Sequence, residues 1–117
     1  MTIEEVRGEM EGCRESAAKE ARVLRDSYLV LDRLRRFYRQ LEDHDRAMSD
    51  RVVAEWALSP DENLRFDALT LIREFKIQTA TPALSELAAR LAAADTPGAP
   101  YELRKVRELF ETLTRSN

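Results

Sequence analysis

Ser59-Pro60-Asp61-Glu62-Asn63-Leu64-Arg65-Phe66-Asp67-Ala68-Leu69 is the stretch that decides the fold class. Ser59 can accept hydrogen bonds from the exposed amides of a following helix. Pro60 suits the first helical position, where an N–H is not needed, and Glu62 can reach back to the cap's own amide. The pattern predicts a helix from Pro60 to about Phe75. Leu64, Ala68, Leu71, Ile72 and Phe75 share one face, while Phe66 and Leu69 lie on a flank. A helix apolar on more than one side calls for neighbours on both, so it is placed centrally.

Working upstream, no Gly or Pro occurs between Cys13 and Ser59. Ile3, Val6, Met10, Cys13, Ala17, Ala21, Leu24, Tyr28, Leu31, Leu34, Tyr38 and Leu41 recur at steps of three and four, which keeps them on one helical face. Residues 2–42 therefore read as one long helix or two nearly collinear ones. Glu42, Asp43, His44 and Asp45 interrupt that period and place a turn, after which Met48, Val52, Val53 and Trp56 define a fresh stripe, with Trp56 in the core. Downstream, Thr81-Pro82 opens a helix carrying Leu84, Leu87, Ala88 and Leu91. Asp95-Thr96-Pro97-Gly98-Ala99-Pro100 stops it, and a last helix begins near Tyr101 with Leu103, Val106, Leu109, Phe110 and Leu113 inward. No segment alternates with period two, so the chain is expected to be all-α and to form one domain over 1–117.

Residues 46–76 resemble a HEAT repeat. Its first helix carries Val52, Val53, Trp56 and Leu58, and its second opens Pro60-Asp61-Glu62-Asn63-Leu64-Arg65 and continues to Ala68. Residues 79–115 resemble a divergent copy, with Thr81 to Leu91 and Tyr101 to Leu113 as its two helices. The resemblance implies a short right-handed stack of antiparallel helical hairpins. Residues 2–42 would cap it or add a third layer, and a homodimer through the N-terminal helix is the alternative use of that segment. Arg65 matches the family's helix arginine, which implies a brace against nearby carboxylates.

The chain's 117 residues suffice to bury roughly two-thirds of the surface of the unfolded form. Apolar runs do not exceed four residues, as at Tyr28 to Leu31, so neither a membrane span nor a membrane partner is expected. Glu4, Glu5, Glu9 and Glu11 stand where an export signal would need bases, which points to the cytoplasm. The single cysteine, Cys13, and single histidine, His44, cannot assemble a zinc site of Cys and His. No phosphate loop, nucleophile elbow or di-iron spacing is present. Neither catalysis nor a cofactor is therefore expected. Asp32 with Arg36, Glu15 with Lys19, and Glu86 with Arg90 have the spacing of surface ion pairs.

Charge is segregated. Residues 1–20 carry six acids and three bases, 21–41 carry two acids and six bases, and 42–62 carry seven acids and two bases, although the net charge is only −3. Glu42, Asp43, Asp45, Asp50 and Glu55 form an acidic face suited to steering a basic protein partner. The leading expectation is a non-catalytic protein-binding module. One specific form is a bacterial immunity- or inhibitor-type protein whose acidic face occupies the basic cleft of a toxin or other enzyme. The alternative is a nucleic-acid-binding or regulatory helical domain that uses Arg22, Arg25, Arg33, Arg36 and Arg39 against phosphates. An acidic protein weighs against it.

Overall fold

In the computed structural model, residues 1–115 are described. They form six α-helices with no strand among them: α1 (Ile3–Leu24), α2 (Leu29–Gln40), α3 (Asp43–Trp56), α4 (Glu62–Phe75), α5 (Thr81–Ala93) and α6 (Ala99–Arg115). A 3-10 turn, Gln78–Ala80, precedes α5. The fold class is all-α. The chain divides into two compact units, Met1–Val52 and Val53–Asn117, and the division falls within α3.

In the first unit, Thr2 caps α1. Its hydroxyl accepts from the Glu5 amide at 3.2 Å while the Glu5 carboxylate accepts from the Thr2 amide at 3.1 Å. Those hydrogen bonds from Thr2, the backbone one foremost, hold the Glu5 carboxyl below its usual range. Residues 2–42 are two helices, and they fold back on each other rather than running collinear, as the ion pair between Arg33 of α2 and Glu20 of α1 at 2.9 Å shows. The reversal uses neither Gly nor Pro. Arg25 adopts left-handed geometry (φ 54°) and donates its amide to the Ala21 carbonyl, after which the Asp26 carboxylate accepts the Tyr28 amide at 3.0 Å. Val6, Met10, Ala17, Leu31, Leu34 and Tyr38 are buried as the periodicity predicts. Leu24 and Tyr28 are exposed, because the stripe runs through the turn and there loses its partner face. The Ser49 hydroxyl of α3 donates to the Met10 sulfur of α1 at 3.2 Å within a fully buried contact.

In the second unit the cap of α4 is Asp61 rather than Ser59. The Asp61 carboxylate accepts from the amides of Asn63 and Leu64, and the Ser59 hydroxyl accepts from the Asp61 amide one step earlier. The Arg65 guanidinium donates to the Ser59 and Pro60 carbonyls at 3.0 and 3.1 Å, which keeps both out of the helical ladder and moves the start to Glu62. α5 begins at Thr81 as the sequence predicts, with Pro82 in its first turn, and the Thr81 hydroxyl donates to the Gln78 carbonyl. The last helix starts at Ala99, two residues before Tyr101, since Pro100 fits a first turn.

Two contacts fix the direction of the helices here. Arg90, near the end of α5, donates to the Leu58 carbonyl just before α4, and Arg65, in the first turns of α4, pairs with Glu102, in the first turn of α6. The start of α4, the end of α5 and the start of α6 therefore meet, so α4 and α6 run in the same direction and α5 runs against both. Leu71, Ile72, Leu84, Leu87, Val106, Leu109 and Leu113 are buried among these helices.

Candidate functional site

The face of α4 that carries Glu62, Phe66, Leu69, Thr70 and Arg73, at steps of three and four, borders an open groove. Gly98, Tyr101, Glu102 and Lys105 of α6 and its leading turn line the opposite side, and the groove has a volume of about 250 Å³. Leu69 lies at the floor, nearly buried, whereas Phe66 is 62% exposed and Tyr101 60% exposed. The Thr70 hydroxyl is satisfied within its own helix by the Phe66 carbonyl at 2.9 Å. Because α4 and α6 are parallel, Glu62 and Gly98 mark one end of the groove and Arg73 the other, with Lys105 nearer the Arg73 end. The Lys105 ammonium lies 5.3 Å from the Tyr101 ring centre, and the Arg104 guanidinium lies 5.6 Å from it.

A fork-to-fork ion pair links the two helices that line the groove. Arg65 donates to the two Glu102 carboxylate oxygens at 2.7 and 2.9 Å, and both side chains are largely buried. The Glu102 hydrogen bond raises the Arg65 pKa further, so the guanidinium stays charged. The brace implied for Arg65 is what the structure contains.

Sequence reasoning did not assign this groove. Its signal was present in Phe66 and Leu69, the apolar flank of α4. That flank predicted a covering neighbour, but only Leu69 receives one. Phe66 is left facing solvent beside a second exposed aromatic from α6.

The acidic set is dispersed in its chemistry. Asp43 is fully exposed, 3.8 Å from Arg46, and Glu42 and Glu55 are exposed as well. Asp45 accepts from the Met1 amino group at 2.9 Å. Asp50 is half-buried and accepts from the Tyr38 hydroxyl at 2.8 Å. Desolvation raises the Asp50 carboxyl pKa against the opposing effects of Tyr38 and Arg46, and desolvation with the bond to Asp50 raises the Tyr38 phenol. Arg46 completes the cluster, 5.4 Å over the Tyr38 ring and donating to the Leu41 carbonyl at 3.0 Å. Asp45 and Asp50 thus hold the first unit together, and Glu42 and Asp43 are the acids that face solvent beside them.

The arginine set is split by the turn. Arg22 and Arg25 stand at the tip of the α1–α2 hairpin, exposed, while Arg33, Arg36 and Arg39 lie along α2. Arg33 is engaged with Glu20. Asp32 pairs with Arg35 at 2.9 Å rather than with Arg36, whereas Glu15–Lys19 and Glu86–Arg90 form at the spacing read from sequence. His44 is exposed, and Cys13 is a half-buried free thiol whose pKa is raised by burial.

Among the described residues no cluster of His, Cys, Asp and Glu is placed to hold a metal ion, and no helix is long and apolar enough to cross a membrane. Comparison of the chain with protein-family models, with curated proteins and with solved structures finds no match in any of the three.

Proposed function

We propose that this chain is a non-catalytic module that binds another protein, and that the α4/α6 groove receives a short partner segment carrying an apolar side chain next to a carboxylate. The observation that carries the reading is the pair of exposed aromatics, Phe66 and Tyr101, facing one open volume of about 250 Å³. Rings that lose water on binding are the usual anchors of protein interfaces, and each can account for about 2 kcal/mol or more. Charge supports the acidic half of the ligand. Glu102 is paired with Arg65 and Glu62 lies at the far end of the groove, while neither Arg73 nor Lys105, towards the other end, has a carboxylate partner among the described residues.

The test uses two labelled peptides of one length with a central Phe or Leu, one flanked by Asp and Glu, the other by Lys. The acidic peptide is expected to bind more tightly, and Phe66→Ala with Tyr101→Ala to weaken it at least about tenfold. Arg73→Glu with Lys105→Glu should reverse the preference. Equal, weak binding of both peptides that ignores all four substitutions would remove the groove from the reading.

The narrower form, an inhibitor whose acidic face neutralises a basic toxin or enzyme, draws on the exposed Glu42 and Asp43. The order of α3 with α4 and α5 with α6 is compatible with HEAT-like pairs over 46–76 and 79–115. Nucleic-acid binding through the arginines would draw on Arg22, Arg25 and Arg36, and would show as retention on RNA or DNA that falls as salt rises.

A further inference from the structure

The turn between α1 and α2 gathers three of the large apolar side chains that solvent reaches: Val23 at 82%, Leu24 at 60% and Tyr28 at 71% exposure. They fall within six residues of one another, at the end of a helical hairpin. Beside them stand Arg22 and Arg25, both exposed, and neither has a carboxylate partner among the described residues. Asp26 accepts the Tyr28 amide within the turn and keeps its charge, so residues 22–28 carry two bases against one acid, and Asp32 further on pairs with Arg35. The tip is therefore both apolar and cationic in a protein whose net charge is −3.

Each candidate occupant makes a different demand on this combination. Phosphates of a nucleic acid would satisfy the arginines but give nothing to Val23 and Leu24. A second copy of the tip would cover the aliphatic side chains but bring four arginines together. An anionic bilayer surface satisfies both: aliphatic side chains enter the acyl boundary, a tyrosine sits at headgroup depth, and arginines reach up to the phosphates and carboxylates of the headgroups. We infer that the α1–α2 tip docks on anionic lipid surfaces through Val23, Leu24 and Tyr28, with Arg22 and Arg25 on the headgroups. The contact lies on the membrane and needs no spanning segment. It revises the expectation of no membrane partner, which rested on the short apolar runs alone. One small tip gives weak, reversible attachment.

The experiment is co-sedimentation with vesicles of phosphatidylcholine alone and of phosphatidylcholine containing roughly a third phosphatidylserine. The protein is expected with the anionic vesicles and not with the neutral ones. Leu24→Asp and Arg22→Glu should each lower the bound fraction roughly five- to tenfold. Both positions are exposed, so thermal melts should match the parent and separate lost docking from lost folding. Absence of binding to either vesicle, or binding indifferent to both substitutions, overturns the inference. RNA retention that is lost in Arg22→Glu and kept in Leu24→Asp would assign the tip to nucleic acid instead. Concentration-dependent self-association abolished by Leu24→Asp would assign it to a second copy, and both results count against lipid.

Discussion

The α1–α2 and α5–α6 hairpins reverse the chain by different means. The second uses Thr96, Pro97 and Gly98, residues whose backbone preferences stop a helix before any packing forms. The first has neither Gly nor Pro and forces Arg25 into left-handed geometry, held by its amide on the Ala21 carbonyl and by Asp26. They also differ in what they leave uncovered. The α1–α2 tip shows aliphatic side chains beside arginines, whereas α6 shows aromatic Tyr101 to a groove whose other wall carries Phe66. A turn written by local chemistry can sit over any surface, but a turn imposed by packing carries its helix stripe with it. Leu24 and Tyr28 are the continuation of a buried face past the point where burial ends.

The comparison breaks first if the two hairpins do not differ in burial. Leu84→Ala, in the fully buried face of α5, is expected to lower the unfolding free energy by about 3 kcal/mol, while Leu24→Ala at the tip should change it by less than about 0.5 kcal/mol, both read by chemical denaturation. Arg65→Ala strands Glu102 in a largely buried position and should lower stability by about 2 kcal/mol, with Arg65→Lys recovering only part because an ammonium cannot make the fork. Arg25→Gly removes the left-handed penalty and should raise stability by about 1 kcal/mol. Gly98→Ala should be close to neutral, since an added Cβ meets nothing within 4 Å. The reverse ranking of these two would mean that Arg25 is held by more than its backbone.

The smallest effect is a pH dependence. The folded Asp50 carboxyl keeps its proton to a higher pH than the unfolded one, so folding is favoured while Asp50 is protonated. That contribution is lost as pH rises from the usual carboxylate range through the raised value. Asp50→Asn, which keeps an oxygen for the Tyr38 hydroxyl, should flatten this part of a stability-versus-pH curve and leave the rest in place. An unchanged curve would place the titration elsewhere.

The parts of the fold legible in the sequence are those set by near neighbours. Leu64, Ala68, Leu71 and Ile72 declared the face of α4 by spacing alone, and Ser59-Pro60-Asp61-Glu62 marked its beginning. Its first residue was displaced because Arg65, several positions on, draws the Ser59 and Pro60 carbonyls away from the helix. The turn at Arg25 was invisible for the same kind of reason. Arg-Asp-Ser is compatible with helix, and only the pairing of α2 with α1, including Arg33 with Glu20, makes the reversal favourable. Asp50 read as one acid among several, because its partner Tyr38 lies twelve residues away on another helix. The groove was half-legible: Phe66 was visibly surplus to a single buried face, but that Tyr101 would stand opposite it depends on α4 and α6 being parallel.

The three tyrosines are distributed so that each reports on a different place. Tyr28 is at the hairpin tip, Tyr101 in the groove wall, and Tyr38 inside the first unit on the Asp50 carboxylate. Uniform incorporation of fluorotyrosine would therefore give a fluorine spectrum with one built-in reporter for each surface and an internal standard. Vesicles should move the Tyr28 line and a groove peptide the Tyr101 line. The Tyr38 line should stay where it is until the first unit opens.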